Sequence, residues 1–280
     1  MQSVLTGTDR AALLIGPALG GLLLLTGPAL LLTAGAILST ITATAALTVR
    51  SERPRLYAVT DTVPPSLLAR TATGLGVLRR TPALGWLVGT LACVNLGSGL
   101  VQLTAPITVT RDLHHSAAAV GLVWSIAVLA TFAAVTLTRR AIDRHGLQRV
   151  GTAAAVAICT ATLATALAPS LPLYTGAVVL LMAGEGAATV VLRAGRVRLI
   201  PERAFAATLT TTVLLALAPI PLAGLLVALW PAAHLRLLVL SVALVLTAAT
   251  ASCVNGLRRH RAAWDWLPQA EEETSLGRAA

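Results

Sequence analysis

Arg139-Arg140-Ala141-Ile142-Asp143-Arg144-His145-Gly146-Leu147-Gln148-Arg149 lies between two uncharged apolar runs, 117–138 and 151–169. This arginine-rich gap decides the fold, because the same alternation recurs along the whole chain. Eight apolar segments can be read, at 11–25, 29–49, 84–107, 117–138, 151–169, 173–192, 205–229 and 232–256. Every basic residue is an arginine, and nineteen of the twenty-one fall in the N-terminal tail, every second gap and the C-terminal tail. These are Arg10; Arg50, Arg53, Arg55, Arg70, Arg79 and Arg80; Arg139, Arg140, Arg144 and Arg149; Arg193, Arg196, Arg198 and Arg203; and Arg258, Arg259, Arg261 and Arg278. The remaining gaps hold only Arg111 and Arg236. Basic loops are retained on the cytoplasmic side during insertion, so the pattern predicts eight transmembrane helices in the inner (plasma) membrane with both termini in the cytoplasm.

Composition leads to the same class independently. Charged residues make up 11% of the chain and hydrophobic residues 56%, against roughly 25% charged in a typical soluble domain. Each apolar segment approaches the roughly 20 residues that a helix needs to cross about 30 Å of hydrocarbon. Segments 11–25 and 29–49 are together too long for one span, and Thr26-Gly27-Pro28 separates them with turn-forming residues. The runs are too long and unbroken for barrel strands, which leaves helices as the way to satisfy the backbone in lipid. The net charge of +10 does not indicate nucleic acid, since the arginines are dispersed over gaps and tails with no interleaved aromatics to stack bases. The expected partner of that charge is the headgroup layer of the lipid bilayer. Cys93, Cys159 and Cys253 sit in apolar segments without metal or redox spacing and read as small packing residues. No cleavable signal peptide is expected, because Asp9-Arg10 leads straight into two spans.

The only long polar gap, 50–83, divides the chain into two helices and six. The expected organisation is two spans within 1–50, a cytoplasmic linker over 51–83, a six-helix unit over 84–257 and a mobile cytoplasmic tail over 258–280, which carries Glu271-Glu272-Glu273. Within the linker, Leu67, Leu68, Leu75 and Leu78 alternate with Arg70, Arg79 and Arg80. That pattern predicts a short helix lying along the membrane surface with its arginine stems snorkelling.

Gly16-Pro17-Ala18-Leu19-Gly20-Gly21 in the first segment permits close helix approach and a bend. It resembles the GPxxGG core of the antiporter motif in the fifth helix of major facilitator superfamily exporters, although Ala12 stands where the longer motif has glycine. The 139–149 gap resembles that superfamily's cytoplasmic loop signature, G-x-x-x-D-R-x-G-R/K. Asp143, Arg144 and Gly146 match, Arg149 supplies the trailing base with a small offset, and Arg139 replaces the leading glycine, as in the weaker second copy between the eighth and ninth helices. Both matches share one register with the central linker. Arg196 to Arg203 followed by Pro221-Leu222-Ala223-Gly224 is similar to the tenth-to-eleventh connection of the enterobactin exporter and macrolide efflux branch. The resemblance covers about 8–257. It implies the last two helices of an N-terminal lobe plus a complete six-helix C-terminal lobe, with the first four helices missing. It further implies that Asp143, Arg144, Gly146 and Arg149 latch the loop against the helix beginning near Asp9-Arg10.

Of eleven acidic residues only Glu185 lies within an apolar segment. An ionisable group at mid-membrane costs on the order of 3 kcal/mol on insertion scales, which marks it as a functional candidate. Asn95 lies about nine residues from the inner end of its segment, roughly 14 Å deep, and Glu185 about twelve from the outer end of its own, roughly 18 Å. The two are therefore expected to meet near the midplane as a proton-coupling pair, with Gln102 further out as a substrate contact. The alternative for Glu185 is a structural carboxyl, hydrogen-bonded between helices. The resemblance places both segments, as seventh and tenth helices, on the cavity wall.

An enzyme is not expected. Gly97-Ser98-Gly99 has no histidine within a span to activate the serine, and His114-His115 with Asp112 is too sparse a set for a metal. No phosphate-cradling loop or cofactor motif occurs. The expected function is proton-driven efflux of small amphipathic molecules. The alternative is a non-transporting membrane protein, either a remnant or a scaffold or subunit that pairs with other helices.

Overall fold

The structure, a computed structural model, describes residues 28–48, 67–200 and 204–260. These are helical almost throughout: α1 (Pro28–Thr48), α2 (Leu67–Arg80), α3 (Pro82–Ile107), α4 (Ala117–His145), α5 (Leu147–Leu167), α6 (Leu171–Leu199), α7 (Phe205–Leu217), α8 (Pro219–Leu229) and α9 (Leu235–Arg259). Among the described residues, six spans are long and apolar enough to cross a membrane: Pro82–Asp112, Ala117–His145, Leu147–Leu167, Leu171–Arg196, Phe205–Leu229 and Leu235–Arg259. The apolar stretch of α1, Thr33–Ala45, is shorter. The expected first span, 11–25, lies outside the described residues, as do most of the linker and the tail. The fold class is all-α membrane protein, as the sequence predicts.

The helices run further into the arginine-rich gaps than hydropathy alone predicts. Arginine is a good helix former, so each helix continues until the backbone forces a stop. α4 is 29 residues long, about 44 Å at 1.5 Å per residue, and overshoots a hydrocarbon core of about 30 Å. It ends at Gly146, whose φ of 80° and ψ of 156° belong to a region that is essentially glycine-only, and α5 begins at the next residue. α6 ends at Ile200, held extended (φ −96°, ψ 122°) by the proline that follows it. Past Pro106, α3 continues as a π-helical turn, Thr108–Asp112, so the expected 108–116 loop shrinks to its last few residues.

The expected span 205–229 is present but interrupted at Ala218, where α7 passes into α8. Pro219 and Pro221 have no N–H to give to the carbonyls four residues earlier, so the helical ladder fails there.

α6 is wedged between α4 and α5, while α3 packs against α9, α8 and α6. The main core joins Leu100, Val101, Val123, Ile158, Val178 and Leu181, all nearly inaccessible. A second cluster, including Leu84, Leu87, Leu147, Val191 and Leu192, fills the arginine-rich end. The linker helix is present but anchored more firmly than the surface reading predicts. α2 docks on α7, where a Cβ on Gly74 would stand 2.6 Å from Thr211 Cβ and 2.9 Å from the Ala207 oxygen. Only glycine lets the two backbones approach this closely.

Candidate functional site

Two Gly-polar-Gly triplets face one another between α3 and α6. On α6, Gly184 seats the helix against α5, where an added Cβ would lie 2.7 Å from Ile158 Cγ1. Gly186 seats it against α4, where the Cβ would meet Thr131 Cγ2 at 3.0 Å and the Thr131 carbonyl oxygen at 3.2 Å. The Thr131 hydroxyl reinforces that contact by donating to the Met182 carbonyl at 3.2 Å. Successive residues on a helix point about 100° apart, so with its two neighbours committed to α4 and α5, Glu185 is turned toward α3.

α3 answers with the same construction. Gly97 admits Leu246 of α9 and Thr162 of α5, at 3.3 Å and 3.4 Å from its would-be Cβ, and Gly99 admits Ala223 of α8 at 3.4 Å. Ser98 between them is 2% exposed, and its hydroxyl is the polar neighbour of the Glu185 carboxyl. Neither Ser98 Oγ nor Glu185 Oε2 has a hydrogen-bond partner, although both atoms are buried. Buried polar atoms are normally paired, and leaving one unsatisfied costs roughly 1–3 kcal/mol.

Asn95, expected to pair with Glu185, makes its hydrogen bond elsewhere. Its Nδ2 donates to the Ala216 carbonyl at 2.6 Å, just before the α7–α8 break, and no hydrogen bond joins it to Glu185. Asn95 is drawn to a carbonyl beside the proline-disrupted turn, and Ser98, one helical turn on, is the residue that meets the carboxyl. Gln102 is a further turn along the Ser98 face and is exposed.

Asp143, Arg144 and Arg149 are exposed around the tight Gly146 turn. Gly16, Pro17, Gly20, Gly21 and the helix start near Asp9-Arg10 lie outside the described residues, so the partner of the expected latch is not part of the described structure. At the opposite end, Arg236 Nε donates to Asp112 Oδ2 at 3.1 Å, tying α9 to the turn after α3. Cys93 and Cys253 meet between α3 and α9 as free thiols. An apolar cavity of about 40 Å³, lined by Leu87, Val94, Leu147 and Val191 among others, lies toward the arginine-rich end. It has no charged group and is not the site. Among the described residues no three His, Cys, Asp or Glu side chains gather as a metal site would require.

Ser98 is the polar neighbour of Glu185 that sequence reasoning missed. The available signal was the echo between Gly97-Ser98-Gly99 and Gly184-Glu185-Gly186.

The helical arrangement is the membrane fold of the major facilitator transporters. It is similar to the crystal structure of a bacterial homologue of the human lysosomal transporter Spinster, inward-facing and unoccupied, with a TM-score of 0.55 at 18% identity, covering 92% of this chain and 69% of that one. No family model and no curated protein matches the sequence. At this identity the likeness establishes the fold, and the chain is a multi-pass protein of the lipid bilayer.

Proposed function

We propose that the protein is a secondary transporter, not an enzyme, that exports small amphipathic molecules across the plasma membrane in exchange for protons. In this reading both termini are cytoplasmic and Glu185 carries the proton. The observation that carries the reading is the buried Glu185 Oε2 beside Ser98 Oγ, two polar atoms held together without partners by glycine-framed helices. A hydroxyl can both donate and accept, so Ser98 suits either protonation state of the carboxyl. Brought within hydrogen-bond distance, it can donate to the ionised form and accept from the protonated one. Gln102, exposed further along the same face, is assigned to substrate contact.

Transporters of this fold close their pathway between two lobes. The assay therefore uses the complete reading frame, including any in-frame helices encoded upstream of Met1. With ethidium as probe in proteoliposomes, an imposed pH gradient drives accumulation in the unmodified protein. Glu185→Gln keeps the side-chain shape but cannot exchange a proton, so it abolishes gradient-driven accumulation while leaving gradient-independent ethidium exchange. Glu185→Asp retains partial activity. Normal uphill accumulation by the glutamine variant would make the carboxyl structural, and no ethidium movement in any variant would favour a non-transporting scaffold or subunit.

A further inference from the structure

At the arginine-rich end, outside the Glu185 site, two cavities join into one groove between α5 and α9. The outer one, about 500 Å³, is lined by Gln148, Arg149, Thr152, Ala153 and Arg258. The inner one, about 380 Å³, shares Thr152 and Arg258 and continues past Val156, Cys159 and Ala251 toward the middle of both helices. Two positive charges therefore stand at the mouth of a groove that becomes apolar with depth. Neither arginine has an ion-pair partner among the described residues, where the one pair, Arg236–Asp112, lies at the opposite end of the lobe. The groove opens outward: Ala153, Val156 and Thr160 on α5 and Ala248, Ala251 and Asn255 on α9 are all exposed. These are exposed stripes of two helices that are long and apolar enough to cross a membrane, where an exposed stripe faces lipid.

We infer that this groove is a binding site for an anionic phospholipid, with the headgroup phosphate between Arg149 and Arg258 and one acyl chain lying along Val156 and Ala251. Charge complementarity selects the occupant. A basic recess between transmembrane helices at the headgroup level attracts anionic lipid, and planar guanidinium groups bind phosphate oxygens in a bidentate manner. Zwitterionic lipid would fill the apolar part equally well but gain less at the mouth. Free phosphate would use the mouth and leave the apolar depth empty.

The test is native mass spectrometry of the full chain released from mixed micelles, titrated with dioleoylphosphatidylglycerol or dioleoylphosphatidylcholine. The anionic phosphatidylglycerol is expected to bind in preference. Arg149→Gln with Arg258→Gln should weaken it about thirtyfold, roughly fivefold for each arginine, the size of one arginine's attraction to an anionic surface. Arg111→Gln, an exposed arginine at the other end, should change nothing. Ala251→Trp blocks the apolar depth from a lipid-facing position and should weaken phosphatidylglycerol while leaving the mouth charges in place. Equal binding of the two lipids, or phosphatidylglycerol binding untouched by the double arginine substitution, overturns the inference. So does displacement of the lipid by inorganic phosphate with no effect of Ala251→Trp, which would mark a simple anion site. None of these readouts depends on transport, so the inference and the proposed function can fail separately.

Discussion

Replacing Gly184 with alanine, with Gly176→Ala on the same helix as reference, tests whether α6 is held by close backbone contact. At position 184 the new methyl would stand 2.7 Å from Ile158 Cγ1 and 3.3 Å from the Ala154 oxygen. Comfortable carbon contacts begin near 3.5 Å, so α5 and α6 must separate by roughly 0.8 Å or Ile158 must leave its rotamer. Ile158 is only 3% exposed and has little room to move. Overpacking of this kind costs about 1–3 kcal/mol. Against it stands the helix-propensity gain of alanine over glycine, about 0.8–1 kcal/mol. Gly176 has nothing within 4 Å of its would-be Cβ and keeps that gain in full. The two variants should therefore differ by about 1–3 kcal/mol, with Gly176→Ala at or above the parent and Gly184→Ala below Gly176→Ala. Unfolding in mixed micelles titrated with dodecyl sulfate, followed by circular dichroism, measures the difference. If Gly184→Ala resists dodecyl sulfate as well as Gly176→Ala, the glycine frame is not what positions Glu185.

Asn95→Leu removes the donor to the Ala216 carbonyl and should cost about 1 kcal/mol, within the range of interhelical bonds in membranes; an unchanged dodecyl sulfate midpoint would show that Asn95 does not brace the α7–α8 break. Gly146→Ala forces a side chain into a glycine-only conformation and should cost about 1–3 kcal/mol. Gly146→Asn should not rescue it, because the ψ of 156° lies far from the left-handed helical region that asparagine tolerates; rescue by asparagine would mean that the turn adopts another geometry. In a cysteine-free background, Ser116→Cys should react with an impermeant thiol reagent in intact cells and Ser51→Cys should not. Labelling at position 51 from outside would reverse the assigned orientation.

The spans were legible because lipid imposes one rule on every residue of a segment, and the arginines punctuate it. Less legible was where each helix would stop, since hydropathy ends at the first arginine while the helix continues to Gly146 or to the residue before Pro201. The break at Ala218 could have been read from Pro219 and Pro221, but apolar length outweighed the missing donors. Glu185 stood out as the lone acid in a span, because its cost is a property of depth alone. Its partner did not stand out, because facing is set by rotation about two helix axes. Asn95 and Ser98 differ by three positions, about 60° of rotation. That angle sends one side chain to α7 and the other to α6, and no property of α3 by itself distinguishes them.

The twin triplets also bear on how a proton could be handled within the proposed function. Glu185 and Ser98 belong to the same lobe, and the glycines on either side of each lock α6 to α4 and α5, and α3 to α5, α8 and α9. Rocking one lobe against another would leave the distance between the two side chains unchanged. What changes in such a motion is which side of the membrane supplies water to the carboxyl. A pair fixed within a rigid lobe can bind a proton under one exposure and release it under the other without rearranging its own packing. Proton affinity is then governed by access and by a substrate near Gln102, not by strain between helices. The glycines that bring the backbones together are, on this argument, as necessary to coupling as the carboxyl.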